Sequence, residues 1–217
     1  VKDSVTSPLE YYRNNVHGTI NLLDTMARFG VYNLIFSSSA TVYGQDQPLP
    51  YTEELEIGKP SSPYGATKAV VEQILLDLSV STDKWKIVSL RYFNPIGAHF
   101  SGEIGEDPFG VPNNLLPYIA QVAIGRLTEL SIYGNDYDTD DGTCERDYLH
   151  VMDLAAGHLA ALAFLLDSKS FHGLEVFNLG SGKAISVLQM LKVFVKFTGV
   201  DIPYKIAPRR EGDLPKF

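Results

Sequence analysis

Segments of helical and of strand-like hydrophobic periodicity alternate along this chain, and that alternation restricts the fold more than any single motif does. Residues 10–30 carry Val16, Ile20, Leu23, Met26 and Ala27 at helical spacing, with Gly30 placed to stop the helix. The short apolar run Tyr32-Asn33-Leu34-Ile35-Phe36 then reads as a buried strand that ends in Ser37, Ser38 and Ser39. Ser62-Pro63 opens a second helix, Ser62 as its cap and Pro63 in its first turn, along which Val70, Val71, Ile74, Leu75 and Leu78 trace an apolar stripe. A strand is expected over 86–93. The pattern continues with a helix over 114–125, a strand over 130–133, a helix over 151–166, a strand over 175–179, a helix that Ser186 caps, and a strand over 204–207. Strands separated by helices predict a parallel sheet with helices on both faces.

Composition sets wider limits. A chain of 217 residues that is 45% hydrophobic can bury a core of one large domain or of a domain and a half. A net charge of -8 argues against a nucleic-acid surface, so any phosphate contacts must be local. The single Cys144 excludes an internal disulfide and suits a reducing cytoplasm. His17, His99, His150, His158 and His172 form no ligand set, and no metal is expected. Asp136, Asp138, Asp140 and Asp141 are spaced like a calcium loop, but the glycine comes late, at Gly142, and Asp147 stands where that loop needs Glu; a solvated acidic loop is expected. No apolar run reaches the length of a membrane span, so no membrane partner is expected.

The chemistry is concentrated in Ser39, Tyr64 and Lys68. Tyr-x-x-x-Lys alone is weak, because with 12 tyrosines a Lys four positions after one of them is expected roughly once by chance. Context strengthens it: the serines end a strand, where open α/β sheets place their ligands, and the Tyr and Lys share one face of a helix start. A phenol of pKa about 10 is ionised in roughly one molecule in a thousand at neutral pH, and a neighbouring ammonium favours the phenolate. A serine hydroxyl can hold the oxygen of an alcohol undergoing oxidation. Together the three point to hydride chemistry.

Longer blocks carry a resemblance. Ser37-Ser38-Ser39-Ala40-Thr41-Val42-Tyr43-Gly44, Ser62-Pro63-Tyr64-Gly65-Ala66-Thr67-Lys68, Arg91-Tyr92-Phe93-Asn94-Pro95, Pro112-Asn113-Asn114-Leu115, Gly134-Asn135-Asp136-Tyr137 and Pro208-Arg209-Arg210-Glu211-Gly212-Asp213 resemble the UDP-galactose 4-epimerase family of extended short-chain dehydrogenases/reductases, from end to end. The resemblance implies a Rossmann-like, doubly wound parallel α/β sheet with a smaller α/β substrate-binding lobe. Residues 1–93 would be the later part of the NAD-binding domain, and 94–217 mainly the lobe, with segments returning to the sheet. The family's opening glycine-rich turn has no counterpart here, and Gly180-Ser181-Gly182 reads as a plain turn, so the chain reads as a fragment.

By the same resemblance Tyr64 is the base, Lys68 lowers its pKa, and Ser39 bonds the sugar's 4-oxygen. NAD would lie against Asn14, Ser37, Ser38, Ser39, Tyr64, Lys68, Phe93 and Pro95. A UDP-hexose would meet Tyr92, Asn94, Asn114, Leu115, Ser131, Ile132, Tyr133, Arg146, Arg210 and Asp213, the arginines on phosphate. Helices 10–30 and 62–78 resemble a homodimer's four-helix interface. Glu145, beside Arg146, is expected to point outward. A sugar-nucleotide 4,6-dehydratase is the sister alternative, but it needs an acid and a base where this chain has Ala40 and Thr41. A truncated paralogue that only binds a nucleotide sugar is the other alternative.

Overall fold

A computed structural model of the chain describes residues 2–167, 171–210 and 215–216. They fall into two compact units, Val1–Phe93 with Asp153–Leu179, and Asn94–Met152 with Gly180–Phe217. The first unit is built on a parallel three-stranded sheet in the order β1 (Asn33–Ser39), β2 (Lys86–Tyr92), β6 (Gly173–Leu179). Parallel pairing brings Ser39 opposite Tyr92, and Tyr92 opposite Leu179, at the carboxyl edge. Among the described residues no helix is long and apolar enough to cross a membrane.

Side chains on a strand alternate between faces, and each face of this sheet has its own cover. Leu34 and Phe36 of β1 and Ile87 of β2 pack with Leu23 of α3 (Gly18–Arg28) and with Val71 and Leu75 of α4 (Pro63–Ser81). Ile35, Val88 and Leu90 pack on the opposite face with Ala161, Phe164 and Leu165 of α6 (Val151–Asp167). The expected helix over 10–30 is more segmented than its periodicity suggests. After the short α1 (Lys2–Thr6) comes α2 (Pro8–Tyr11), then a π-helical stretch, Tyr12–His17, before α3. Gly30 adopts φ +69 just beyond the helix end. Two expected stripe residues, Ile20 and Val70, lie on exposed flanks, because the buried seam runs through Leu23, Val71 and Leu75.

The second unit packs α5 (Leu115–Ala123) and α7 (Val187–Thr198) around β4 (Leu130–Tyr133) through Ile119, Val122, Leu130, Ile132, Met190, Leu191 and Ile202. Strand β4 pairs in parallel with β8 (Tyr204–Ala207). Ser186 caps α7 with a full capping box, and its hydroxyl donates to Asp141 at 2.5 Å. Asp141 also accepts from the Thr143 backbone and hydroxyl, so this carboxylate organises the loop and is not merely solvated. A small sheet that the periodicity did not show joins β3 (Asn94–Ile96), β5 (Glu145–His150) and β7 (Ala184–Ser186), with β5 in the centre.

Glu145 corrects an expectation. Its side chain is only 12% exposed, and it pairs with Lys216 at 2.7 Å while its backbone N–H donates to the Pro215 carbonyl at 2.8 Å. The segment running beside β5 covers the carboxylate and neutralises it.

Packing makes a direct prediction on adjacent residues. Leu75 is fully buried and Leu76 is 45% exposed. Leu75→Ala is expected to lower the unfolding free energy by about 2–5 kcal/mol, and Leu76→Ala by less than about 0.5 kcal/mol, measured by urea denaturation. Equal losses would mean that the helix does not sit on the sheet as described.

Candidate active site

In the first unit the chemistry-bearing residues meet at the carboxyl edge of β1. The hydroxyl of Ser62 accepts from the Gly65 N–H at 3.3 Å and Pro63 starts the helix, so α4 begins where Tyr64 falls in its first turn and Lys68 in its second. Gly65 allows close packing there: a Cβ would sit 3.0 Å from Pro60 Cβ and 3.2 Å from the Thr41 carbonyl, so a side chain would have to push the 3-10 turn Ala40–Tyr43 back by a few tenths of an ångström.

Ser39 ends the strand facing that helix. Its Oγ accepts from the Thr41 N–H at 3.2 Å and from the Thr41 hydroxyl at 2.9 Å. The Ser39 hydroxyl is also the hydrogen-bonding neighbour that favours the ionised Tyr64 phenol. Burial pushes the Tyr64 phenol above its ordinary value, the bond from Ser39 pulls it back, and Tyr92 and Tyr11 push it up again. The Lys68 ammonium donates to the Ser37 carbonyl at 2.8 Å and lies 5.6 Å from the centre of the Tyr64 ring and 5.0 Å from that of Phe36. Burial pulls it below the ordinary lysine value.

Behind this group the Tyr92 hydroxyl is 2.7 Å from Ser37 Oγ and 2.5 Å from His158 Nε2. His158 Nδ1 lies 2.8 Å from the Leu154 carbonyl, which can only accept. Nδ1 therefore carries the proton, Tyr92 donates to Nε2, and Ser37 donates to Tyr92. Asn14, on the π-helical stretch, donates to Asn15 at 3.0 Å. Both line a cavity of about 200 Å³ with Gly18, Phe36 and Lys68.

Ser38 is a correction. Period-two alternation turns its side chain to the α4 face, where it is buried and donates to Glu72, so this hydroxyl belongs to the core and not to a pocket wall. Phe93 ties β2 to β6 through its N–H to the Leu179 carbonyl at 3.1 Å, and Pro95 lies exposed on β3.

In the second unit Asn94 donates to the Asp147 carbonyl at 3.3 Å, and the neighbouring Arg146 is buried with its guanidinium donating to the Glu145 carbonyl at 2.7 Å. The Asp147 carboxylate accepts from the Ser181 N–H at 2.8 Å, the Ser181 hydroxyl at 2.6 Å and the Gly182 N–H at 2.7 Å, so the Gly180-Ser181-Gly182 turn is held by the chain's own carboxylate. Arg210 lies 4.4 Å over the ring of Tyr133, and Arg209 pairs with Asp136 at 2.8 Å. Ser131 and Tyr133 are half-buried on β4, but Ile132 between them points into the core, which leaves only its backbone for a ligand. Asn114 donates to Glu106 at 3.1 Å just before α5, where Leu115 begins the helix. Asp213 lies outside the described residues. Among the described residues no cluster of His, Cys, Asp or Glu is built to hold a metal ion.

Thr41, Tyr11, Asn15, Glu72, Arg91 and His158 complete these arrangements and were not read as site groups from the sequence. Tyr11 meets Tyr64 edge to face at 6.4 Å, and Asn15 donates to Thr67 at 2.9 Å. The alternation of β1 and the position of Glu72 one turn beyond Lys68 were the available signals for the Ser38–Glu72 pair.

A Rossmann-like parallel sheet with Ser, Tyr and Lys at its carboxyl edge defines an α/β dinucleotide-enzyme class. Residues 1–180 match the NAD dependent epimerase/dehydratase family, and the chain belongs to it. It is similar to the UDP-glucose 4-epimerase of Erwinia amylovora, 58% identical over 214 residues that cover 99% of this chain and 63% of that protein, and to that of Bacillus subtilis, 53% identical over 99% and 62%. The crystal structure of the Bifidobacterium longum UDP-glucose 4-epimerase in complex with NAD+ and UDP superposes with a TM-score of 0.92 at 52% identity, covering 99% of this chain and 63% of that one. The Brucella ovis UDP-glucose 4-epimerase in complex with NAD gives 0.91 at 42%, covering 100% and 65%. The chain thus spans about 63% of the length of these relatives.

The depressed Lys68 makes a stability prediction. A lysine whose folded-state pKa is lowered adds stability only above the unfolded pKa, and loses it as pH falls through the folded value. At pH 7 the charged Lys68 therefore opposes folding. Lys68→Met is expected to raise the melting temperature at pH 7, and the difference is expected to shrink above about pH 10.5. A lower melting temperature at pH 7 would show that the Ser37 carbonyl and Phe36 outweigh the burial.

Proposed function

We propose that this chain carries the base, the serine and the uridine-diphosphate anchor of an NAD-dependent enzyme that interconverts UDP-galactose and UDP-glucose by oxidation at C4, turning of the 4-keto sugar, and re-reduction. The observation that carries the reading is the meeting of Ser39, Tyr64 and Lys68 at the carboxyl edge of β1, with the Lys68 ammonium 5.6 Å from the centre of the Tyr64 ring. Identities of 52–58% to UDP-glucose 4-epimerases over nearly the whole chain support it.

The residues fit the cofactor. Among the described residues, only the Ser37 carbonyl takes one of the three Lys68 N–H groups, which leaves two for ribose hydroxyls, and Asn14 stands in the same cavity. NAD, when bound, supplies the hydride acceptor and donor that no side chain provides. Tyr64 takes the proton of the 4-hydroxyl as C4 is oxidised and returns it afterwards. Its raised phenol needs the Ser39 hydroxyl and a nearby positive charge to act at neutral pH, and the Lys68 ammonium, 5.6 Å from the ring centre, is the group placed to supply that charge. Ser39 steadies the 4-oxygen. Asn94, Arg146 and Arg210 would hold the diphosphate, with Asn114, Leu115, Ser131, Tyr133 and the Ile132 backbone toward the uridine. A firmly held diphosphate with a loosely held hexose lets the keto sugar present either face, which is how the stereocentre inverts.

Two finer readings accompany this one. Leu9, Ile20 and Leu22 on one side and Val70, Leu76 and Val80 on α4 are exposed apolar residues, which supports homodimerisation through these helices. A sequence with one cysteine supports a cytoplasmic location.

The test is conversion of UDP-galactose to UDP-glucose with added NAD, measured on this chain and on the chain extended to the length of its relatives. Tyr64→Phe is expected to reduce turnover by about 10²–10⁴-fold. An extended protein that binds UDP-galactose and leaves it unchanged would reject the epimerase reading.

A further inference from the structure

Glu72 is a buried carboxylate with no part in the chemistry above. It lies on α4, one turn beyond Lys68 and two beyond Tyr64. Its two oxygens accept from four groups: the Ser38 hydroxyl on β1, the Ser89 hydroxyl on β2 at 3.0 Å, and the Nε and Nη2 of Arg91 on β2, the last at 2.6 Å. Every member of this cluster is buried. Arg91 is further confined by the Tyr43 ring 4.7 Å away, and Tyr43 in turn donates to Asn178 of β6 at 2.7 Å.

A buried ion pair is a poor source of stability, because desolvating two charges cancels most of their attraction and an apolar pair of the same volume commonly does as well. What such a pair does supply is direction: four short bonds to one carboxylate tolerate little sliding. Here the bonds join the helix that carries Tyr64 and Lys68 to the residue between Ser37 and Ser39. On one side of Ser38 the Ser37 carbonyl accepts from Lys68 at 2.8 Å, and on the other stands Ser39, whose hydroxyl favours the ionised Tyr64 phenol.

We propose that Glu72 is a positioning residue which, through Ser38, holds the serine strand in register with the helix bearing Tyr64 and Lys68, so that the Ser37–Lys68 bond forms and the Ser39 hydroxyl faces Tyr64. The inference rests on the catalytic roles proposed above for those residues. Glu72→Gln would leave Arg91 buried and unpaired, which destabilises by itself, so the decisive test cuts the clamp at its other ends. Ser38→Ala and Ser89→Ala each remove one buried hydroxyl from the same carboxylate, but only Ser38 adjoins the site.

Both variants are expected to melt at similar temperatures. Ser38→Ala is expected to lower kcat about tenfold, with the KM for UDP-galactose and the affinity for NAD within about twofold of the parent; Ser89→Ala is expected to leave kcat within about twofold. In protein labelled with [13Cζ]tyrosine, with Tyr64 assigned through Tyr64→Phe, Ser38→Ala is expected to shift the Tyr64 resonance and move its titration upward as the Ser39 bond loosens. Ser89→Ala is expected to leave both in place. Equal effects of the two variants on kcat and on the Tyr64 resonance would overturn the proposal and make the cluster purely structural. These measurements are made on the chain extended to the length of its relatives; if that protein binds UDP-galactose and shows no turnover, the epimerase reading fails on its own account, and the Tyr64 resonance still decides whether Ser38 positions the phenol.

Discussion

The parallel pairing of β1 with β2 is the constraint on which the first unit depends. In a parallel sheet all carboxyl ends fall on one edge, so Ser39 and Tyr92, far apart in the chain, arrive side by side. The two-residue side-chain period then separates three consecutive serines into two tasks. Ser37 and Ser39 turn toward Tyr92 and Tyr64, while Ser38 turns into the layer beneath α4. A shift of one residue would exchange these roles, placing the Ser38 hydroxyl at the edge and two others against Glu72. Chemistry and packing are therefore set by the same register.

That arrangement is electrostatically costly. Burial opposes the ionised form of both Tyr64 and Lys68, and these are the forms a base and its activating ammonium require. The compensation comes from oriented dipoles. The Ser37 carbonyl accepts from the ammonium, and the Ser39 hydroxyl, itself held by Thr41, favours the ionised phenol. Thr41 orients Ser39 through two hydrogen bonds, and the lack of a side chain at Gly65 lets the start of α4 pack closely against the Thr41 backbone. Strained electrostatics held by a well-packed frame are what a functional site costs in stability.

Most of the frame could be read from the sequence because its signals are local. The α7 helix has its cap and its stripe within one segment, and β4 and β8 are short apolar stretches, each with one polar residue in second place, so their bounds are close to what the periodicity predicts. The Ser39, Tyr64 and Lys68 set was legible for the same reason, since a strand end and a capped helix start are each written within a few residues. The β3–β5–β7 sheet was not, because β3 contains Pro95 and β5 begins Glu145-Arg146-Asp147, a charged run that resembles a loop until its partners are known. Glu145 is half-buried and paired with Lys216, a neighbour distant in the chain, and no local pattern conveys that. Ile132 and Ser38 are different: strand alternation already separates them from their neighbours, and a family motif assigned block by block overlooks it.

Ser37 shows how the two faces of the sheet are coupled. Its carbonyl, in the plane of the sheet, accepts from Lys68 on α4, and its hydroxyl donates to Tyr92, which donates to His158 on α6. The direction of the hydroxyl chain is set at its far end. The Leu154 carbonyl fixes the His158 tautomer, the bare Nε2 takes the Tyr92 proton, and Tyr92 oxygen is then left to accept from Ser37. Helices on opposite faces of one sheet are in this way joined through a single serine, and the Tyr92 hydroxyl is oriented, through His158, by a backbone carbonyl of α6.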